Sequence, residues 1–135
     1  RLIDPIITML LTEAERFFER NRQHEFMNFR PEKLNITSWA VVLEKGGYQH
    51  PHIHPGGWLS GVYYVDVGRE YDEDGNGGAI EFLKPPESLI GDVNPETIVI
   101  KPQNGLMLLF PSHFYHHTIP HTGEKERISI SFDIN

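Results

Sequence analysis

Arg127-Ile128-Ser129-Ile130-Ser131-Phe132-Asp133-Ile134 lies near the end of the 135-residue sequence and alternates apolar with polar residues. A period of two is the signature of a strand whose two faces meet different surroundings. Working back along the chain, the same texture recurs. Ile36 to Leu43 is rich in β-branched and aromatic residues and is broken by Gly46-Gly47. Further strands are expected over 48–54, 58–67, 79–83, 97–101, 106–110 and 116–119. Residues 68–78 are polar and glycine-rich, and residues 84–96 carry three prolines; both read as connections. Many short strands with Gly and Pro turns predict a sandwich or barrel. Ahead of them, Asp4-Pro5 has the form of a helix start, with Asp as N-cap and Pro in the first turn. Apolar residues at helical spacing (Ile6, Met9, Leu10, Phe17, Phe18) then predict a helix over 5–21. The expected division is an N-terminal helical segment, 1–34, packed on a β-domain, 35–135.

Lys and Arg number 12 against 19 Asp and Glu, a net charge of −7. That balance predicts neither a nucleic-acid partner nor attraction to an anionic membrane. No apolar run is long enough to span a bilayer, and no basic-then-apolar leader is visible. Cysteine is absent, which excludes disulfides and thiolate ligands and fits a reducing, cytoplasmic setting. The chain starts with Arg rather than Met, so we expect it to be part of a longer one.

Six of the eight histidines fall in two short segments, His50-Pro51-His52-Ile53-His54-Pro55-Gly56-Gly57 and Phe110-Pro111-Ser112-His113-Phe114-Tyr115-His116-His117. On a strand, residues two apart share a face, so two imidazoles of the first segment can reach one metal ion. His50, His52 and His54 all satisfy that spacing, and the residues alone do not choose the pair. In the second segment His116 starts a strand after a Pro-Ser turn. His117 points to the opposite face, so the two cannot bind the same ion. His113 is a further competitor, and the plainer reading is that His116 only caps its strand.

Arg127 follows Glu124-Lys125-Glu126, where an arginine ordinarily makes a surface salt bridge. It differs from its neighbours because it opens the alternating strand with Ser129 on its own face. Arginine suits a site where a carboxylate is gripped by two parallel hydrogen bonds, and a hydroxyl two residues on could hold the same group. Trp39, Trp58, Tyr63, Tyr64 and Tyr115 are read as core or pocket wall. Asp133 and residues 68–78 are expected to play no catalytic part.

Taken together, Gln49 to Val65 with its His52-Ile53-His54-Pro55 and Leu59-Ser60-Gly61-Val62-Tyr63-Tyr64 runs, then Leu109-Phe110-Pro111-Ser112, His116, and Arg127-Ile128-Ser129-Ile130-Ser131-Phe132, resemble the 2-oxoglutarate-dependent Fe(II) oxygenases. The resemblance covers roughly residues 36–134, and its specificity lies in the order of the motifs. It implies a mainly β fold, the double-stranded β-helix (a jelly roll, cupin-like), with an N-terminal helix. It implies Fe(II) as cofactor and 2-oxoglutarate as cosubstrate, decarboxylated to succinate and CO2 as an unidentified small-molecule or protein substrate is hydroxylated. It implies His52, His54 and His116 as the metal ligands and catalytic centre. His54 stands where the wider superfamily has a carboxylate. Arg127, helped by Ser129, matches the residue that binds the far carboxylate of 2-oxoglutarate.

A cupin-type enzyme with three histidines and no 2-oxoglutarate is the main rival. Gly46 with five residues before His52, and Gly105 with five before Pro111, fit its spacing. The glutamate expected shortly after the His pair is missing, with Trp58 and Leu59 in its place. A non-catalytic metal-binding module is the third reading. Arg127 discriminates, since only the oxygenase requires it to face the metal.

Overall fold

The computed structural model describes residues 3–68 and 75–135. Helix α1 (Ile3–Arg20) is followed by a single 3₁₀ turn, Glu25–Phe29. Then come strands β1 (Ile36–Leu43), β2 (Leu59–Asp66) and β3 (Ile80–Phe82), a short helix α2 (Glu87–Ile90), and strands β4 (Ile98–Ile100), β5 (Met107–Pro111), β6 (His116–Thr118) and β7 (Arg127–Ile134). Two antiparallel sheets form, in the orders β1-β7-β2-β5 and β4-β3-β6, and together they make a double-stranded β-helix.

The larger sheet has two apolar contacts, one on each side. Phe132, Ile134 and Leu59 pack with Leu10 and Ala14 of α1 and with Met27 and Trp58. On the other side Phe110 and Leu108 meet Ile80 and Phe82 of the small sheet. Register assigns the rest. Leu59 pairs with Ile134 and Gly61 with Phe132, on the helix side; Ser60 pairs with Asp133, Val62 with Ser131 and Tyr64 with Ser129, inside the barrel. The alternating face of β7 therefore turns its polar residues inward, while the helix covers Phe132 and Ile134.

β1 and β7 run between the residues expected of them, β7 from its alternation and β1 from its β-branched and aromatic content. Two other expectations need correction. Asp4 lies inside the first turn of α1, its carbonyl accepting from the Thr8 hydroxyl at 2.9 Å, and does not cap it. Residues 48–54 do not form a strand. Pro51 and Pro55 have no N–H to give to a ladder, and only His52 makes a reciprocal bridge, with His116 (N···O 3.0 and 3.1 Å). The segment stays extended because Thr118 N donates to Gln49 O (3.1 Å) and His54 N to Ser112 O (2.9 Å).

Gly61 marks the closest approach in the large sheet. A Cβ there would collide with the Leu108 carbonyl and the Phe132 ring, whereas one at Gly56 would meet nothing within 4 Å. Overpacking of this kind costs roughly 1–3 kcal/mol. Gly61→Ala should lower the unfolding free energy by that amount, read as a lower urea midpoint at unchanged slope, and Gly56→Ala should stay within about 0.5 kcal/mol of the parent. Equal midpoints for the two variants would contradict this packing.

Candidate metal centre

His52 is placed by its bridge to β6, His116 by β6 itself, and His54 by its backbone bond to Ser112. Their ring centroids lie 4.3 Å (52–116), 5.1 Å (54–116) and 5.1 Å (52–54) apart. One ligand nitrogen from each ring falls within 4.8 Å of the other two. All three rings use Nδ1 elsewhere. His52 Nδ1 donates to its neighbour's carbonyl, His50 O (2.6 Å), and His116 Nδ1 to Phe114 O (2.9 Å). His54 Nδ1 donates to Asp133 Oδ1 (2.6 Å). These bonds place a proton on Nδ1, and in the neutral ring that tautomer leaves the lone pair on Nε2. The Nε2 of His54 is buried with no partner among the described residues. Three bare imidazole nitrogens at one place fit a divalent transition metal.

Burial holds His116 down to about 4, with the nearby His52 and His54 adding to the effect against the bond to the Phe114 carbonyl. It is thus neutral near pH 7, as a ligand must be. Phe110 meets its ring edge-on at 4.8 Å and Trp39 stacks on His54 at 5.7 Å. The rings open on a narrow cavity of about 30 Å³.

Arg127 and Ser129 line the same cavity, with Tyr64, Ser131, Val62 and Ile80. Arg127 is 3% exposed. Its Nη1 donates to Ser129 Oγ at 3.3 Å, and its guanidinium lies 4.9 Å from the centroid of the Tyr64 ring. Its Nε and the Tyr64 hydroxyl find no hydrogen-bond partner among the described residues. Burial works against the charge on Arg127, and burial pushes the Tyr64 hydroxyl up, with Arg127 opposing.

The other histidines lie elsewhere. His117 Nε2 contacts Glu81 Oε2 (3.1 Å) on the outer face of the small sheet. His113 packs on Phe26 and Phe114. His50 stacks edge-on to Tyr48 and lends only its carbonyl. His24 accepts from Phe26 N to cap the 3₁₀ turn, and buried His121 donates from Nε2 to Lys125 O (2.7 Å) just before Arg127.

Two regions expected to play no catalytic part adjoin the site. Asp133, expected to take no part, touches a ring of the cluster; alternation put it on the face of Arg127, but the partner depends on register across β2. Of the loop 68–78, residues 69–74 lie outside the described residues, yet its end is not remote. Gly78 has φ +76° and sits against Arg127, where a Cβ would stand 3.3 Å from Cδ. Tyr64 was not singled out among the aromatics. Its signal was parity: two and four residues after Ser60, Val62 and Tyr64 share the inner face.

His116→Ala should reduce divalent-metal affinity by more than the roughly 10–100-fold that outer partners carry. His117→Ala should leave it unchanged. Calorimetric titration with Co(II) measures both, and a comparable loss in the His117 variant would refute the assignment of faces.

Residues 37–133 match the sequence profile of a family described as "Putative 2OG-Fe(II) oxygenase". Among solved structures, a Pseudomonas putida prolyl-4-hydroxylase is similar at TM-score 0.60 and 16% identity, over 90% of this chain and 61% of that one. An oxidoreductase of the 2OG-Fe(II) oxygenase family from Burkholderia pseudomallei is similar at TM-score 0.59 and 18% identity, over 81% of this chain and 48% of that one. At these identities the likeness is one of fold, and the chain spans about half to three fifths of their length. No curated protein matches the sequence. The profile match runs from the first strand to the last, through every histidine of the cluster and Arg127, and this chain belongs to the 2OG-Fe(II) oxygenase family.

Proposed function

We propose that the chain carries the catalytic barrel of a dioxygenase dependent on Fe(II) and 2-oxoglutarate, hydroxylating a substrate with release of succinate and CO2. The supporting observation is Arg127, a buried guanidinium with no carboxylate partner among the described residues, in the same cavity as three convergent histidines. A lone buried cation costs several kcal/mol, and an anion entering the cavity offsets that cost. A short dicarboxylate with a 2-oxo group suits both ends, a carboxylate for Arg127 and an oxo acid for the metal.

In this reading His52, His54 and His116 hold the iron through Nε2. Bound together there, the iron and the 2-oxo acid supply the activation of dioxygen. Arg127 takes the far carboxylate by two parallel hydrogen bonds. The Ser129 oxygen already accepts from Arg127, so its own proton is left for the anion. Tyr64, held in its protonated form by burial, is a second donor. Val62, Ile80 and Phe110 wall the cavity and limit water. Residues 1–34 serve as the cover of the outer sheet face and 35–135 as the catalytic unit. Among the described residues no helix is long and apolar enough to cross a membrane. The absence of cysteine supports a cytoplasmic setting, and the acidic charge favours a small-molecule or protein substrate over nucleic acid.

A metal enzyme that uses three histidines without 2-oxoglutarate would employ the same rings and leave Arg127 idle. Titrating 2-oxoglutarate into the anaerobic iron protein and following the metal-to-ligand absorption band separates the two. Removing one partner of a buried charge pair costs roughly 2–5 kcal/mol, so Arg127→Ala should raise the apparent Kd at least about tenfold and up to several thousandfold. Arg127→Lys should fall between, since it keeps the charge and loses the fork. Metal affinity should stay near the parent value in both. An unchanged titration in the alanine variant, or no band in the parent, would favour the second reading.

A further inference from the structure

Of the three rings in the cluster, two donate Nδ1–H to backbone carbonyls and one, His54, donates to a carboxylate. That carboxylate, Asp133, is itself held. Its Oδ1 also accepts from Ser60 Oγ at 2.6 Å, and Ser60 Oγ lies 2.7 Å from Ser112 Oγ. Both serines are buried. The proton inventory fixes the direction of the chain. Ser60 has one proton and gives it to Asp133, so the Ser60–Ser112 bond must be donated by Ser112. Ser112 donates to Ser60, Ser60 to Asp133, and His54 to Asp133, so every donor points at one oxygen and keeps it an acceptor.

Three segments distant in sequence build this chain, residues 54–60, Ser112 and Asp133. Ser60 stands opposite Asp133 in the β2–β7 register. Ser112 follows β5 and is bound through its own carbonyl by His54 N. Gly57 leaves it room, because a Cβ there would strike the Ser112 hydroxyl. Such a construction is more than a cross-strand pair requires.

Resting on the ligand reading above, we infer that Asp133 is a positioning residue of the metal centre: it fixes His54 with Nε2 bare, adds the negative charge that three neutral imidazoles lack, and is itself locked by Ser60 and Ser112. A carboxylate on the far nitrogen orients a ligating imidazole and raises its basicity. A carbonyl, as on His52 and His116, orients the ring without that charge.

The test uses the whole chain, titrated anaerobically with Co(II) against a competing chelator, with the ligand-field absorption as a second signal. The parent should bind one Co(II). Asp133→Asn should weaken binding about 10–100-fold and shift the band. Ser112→Ala should weaken it less. In a His54→Ala background Asp133→Asn should add little, because its effect passes through that ring. Imidazole ¹⁵N NMR of the metal-free protein should show His54 as the Nδ1–H tautomer in the parent and as a mixture in Asp133→Asn; this reading stands even where His54→Ala no longer binds cobalt. Parent-like affinity and tautomer in Asp133→Asn overturn the inference, as does an equal loss with and without His54. A parent that binds no cobalt, or binds it unaffected by His52→Ala and His116→Ala, overturns the ligand reading and this inference with it.

Discussion

The inward polar face of β7 is the constraint around which the molecule is arranged. Arg127, Ser129, Ser131 and Asp133 occupy one side of a strand in the middle of the larger sheet. A buried polar face is tolerable only where its groups find partners or a ligand. Turning it inward leaves the apolar side of the strand facing out, where water would meet Phe132 and Ile134. Helix α1 resolves this by laying Leu10 and Ala14 across them. The helix is therefore tied to the site although it lies on the opposite side of the sheet. The cover allows β7 to present charge to the barrel interior.

Much of this was legible in the sequence because it is local. Alternation in β7 marked its ends and its faces, and the β-branched and aromatic run broken by Gly46-Gly47 marked β1. His116 and His117 separated correctly for the same reason, one to the cluster and one to Glu81. What was not legible depends on partners far away in sequence. The 3₁₀ turn at Glu25–Phe29 rests on His24 accepting a backbone proton, an unusual cap that no periodicity announces. Asp133 could be placed on the face of Arg127, but not on His54, because that contact needs the register of β2 and the path of a non-strand segment together.

That non-strand segment explains how the histidines converge. In a regular strand His50, His52 and His54 would be equivalent, and the ladder would not choose among them. Pro51 and Pro55 abolish the ladder. His52 is left with the bridge to His116, and His54 with the bond to Ser112. His50 is left without a comparable tether and turns toward Tyr48. By interrupting the strand, the prolines leave His52 and His54, and not His50, at the cavity.

The charges of the site point the same way as its geometry. Three neutral imidazoles leave a divalent ion uncompensated, and Arg127 adds a further positive charge in the same cavity. A bound dianion such as 2-oxoglutarate cancels two of these three charges. The remaining one is matched by Asp133, one ring away from the ion. On the proposed reading the loaded site balances with Asp133 as a carboxylate, whose Oδ1 accepts from His54 and from Ser60, itself the acceptor of Ser112. A carboxylate bound directly to the metal would supply the same charge but occupy a coordination position as an anionic donor. Placed behind His54, the charge would act through an imidazole, and on the proposed reading the ion would meet only nitrogen from these three side chains.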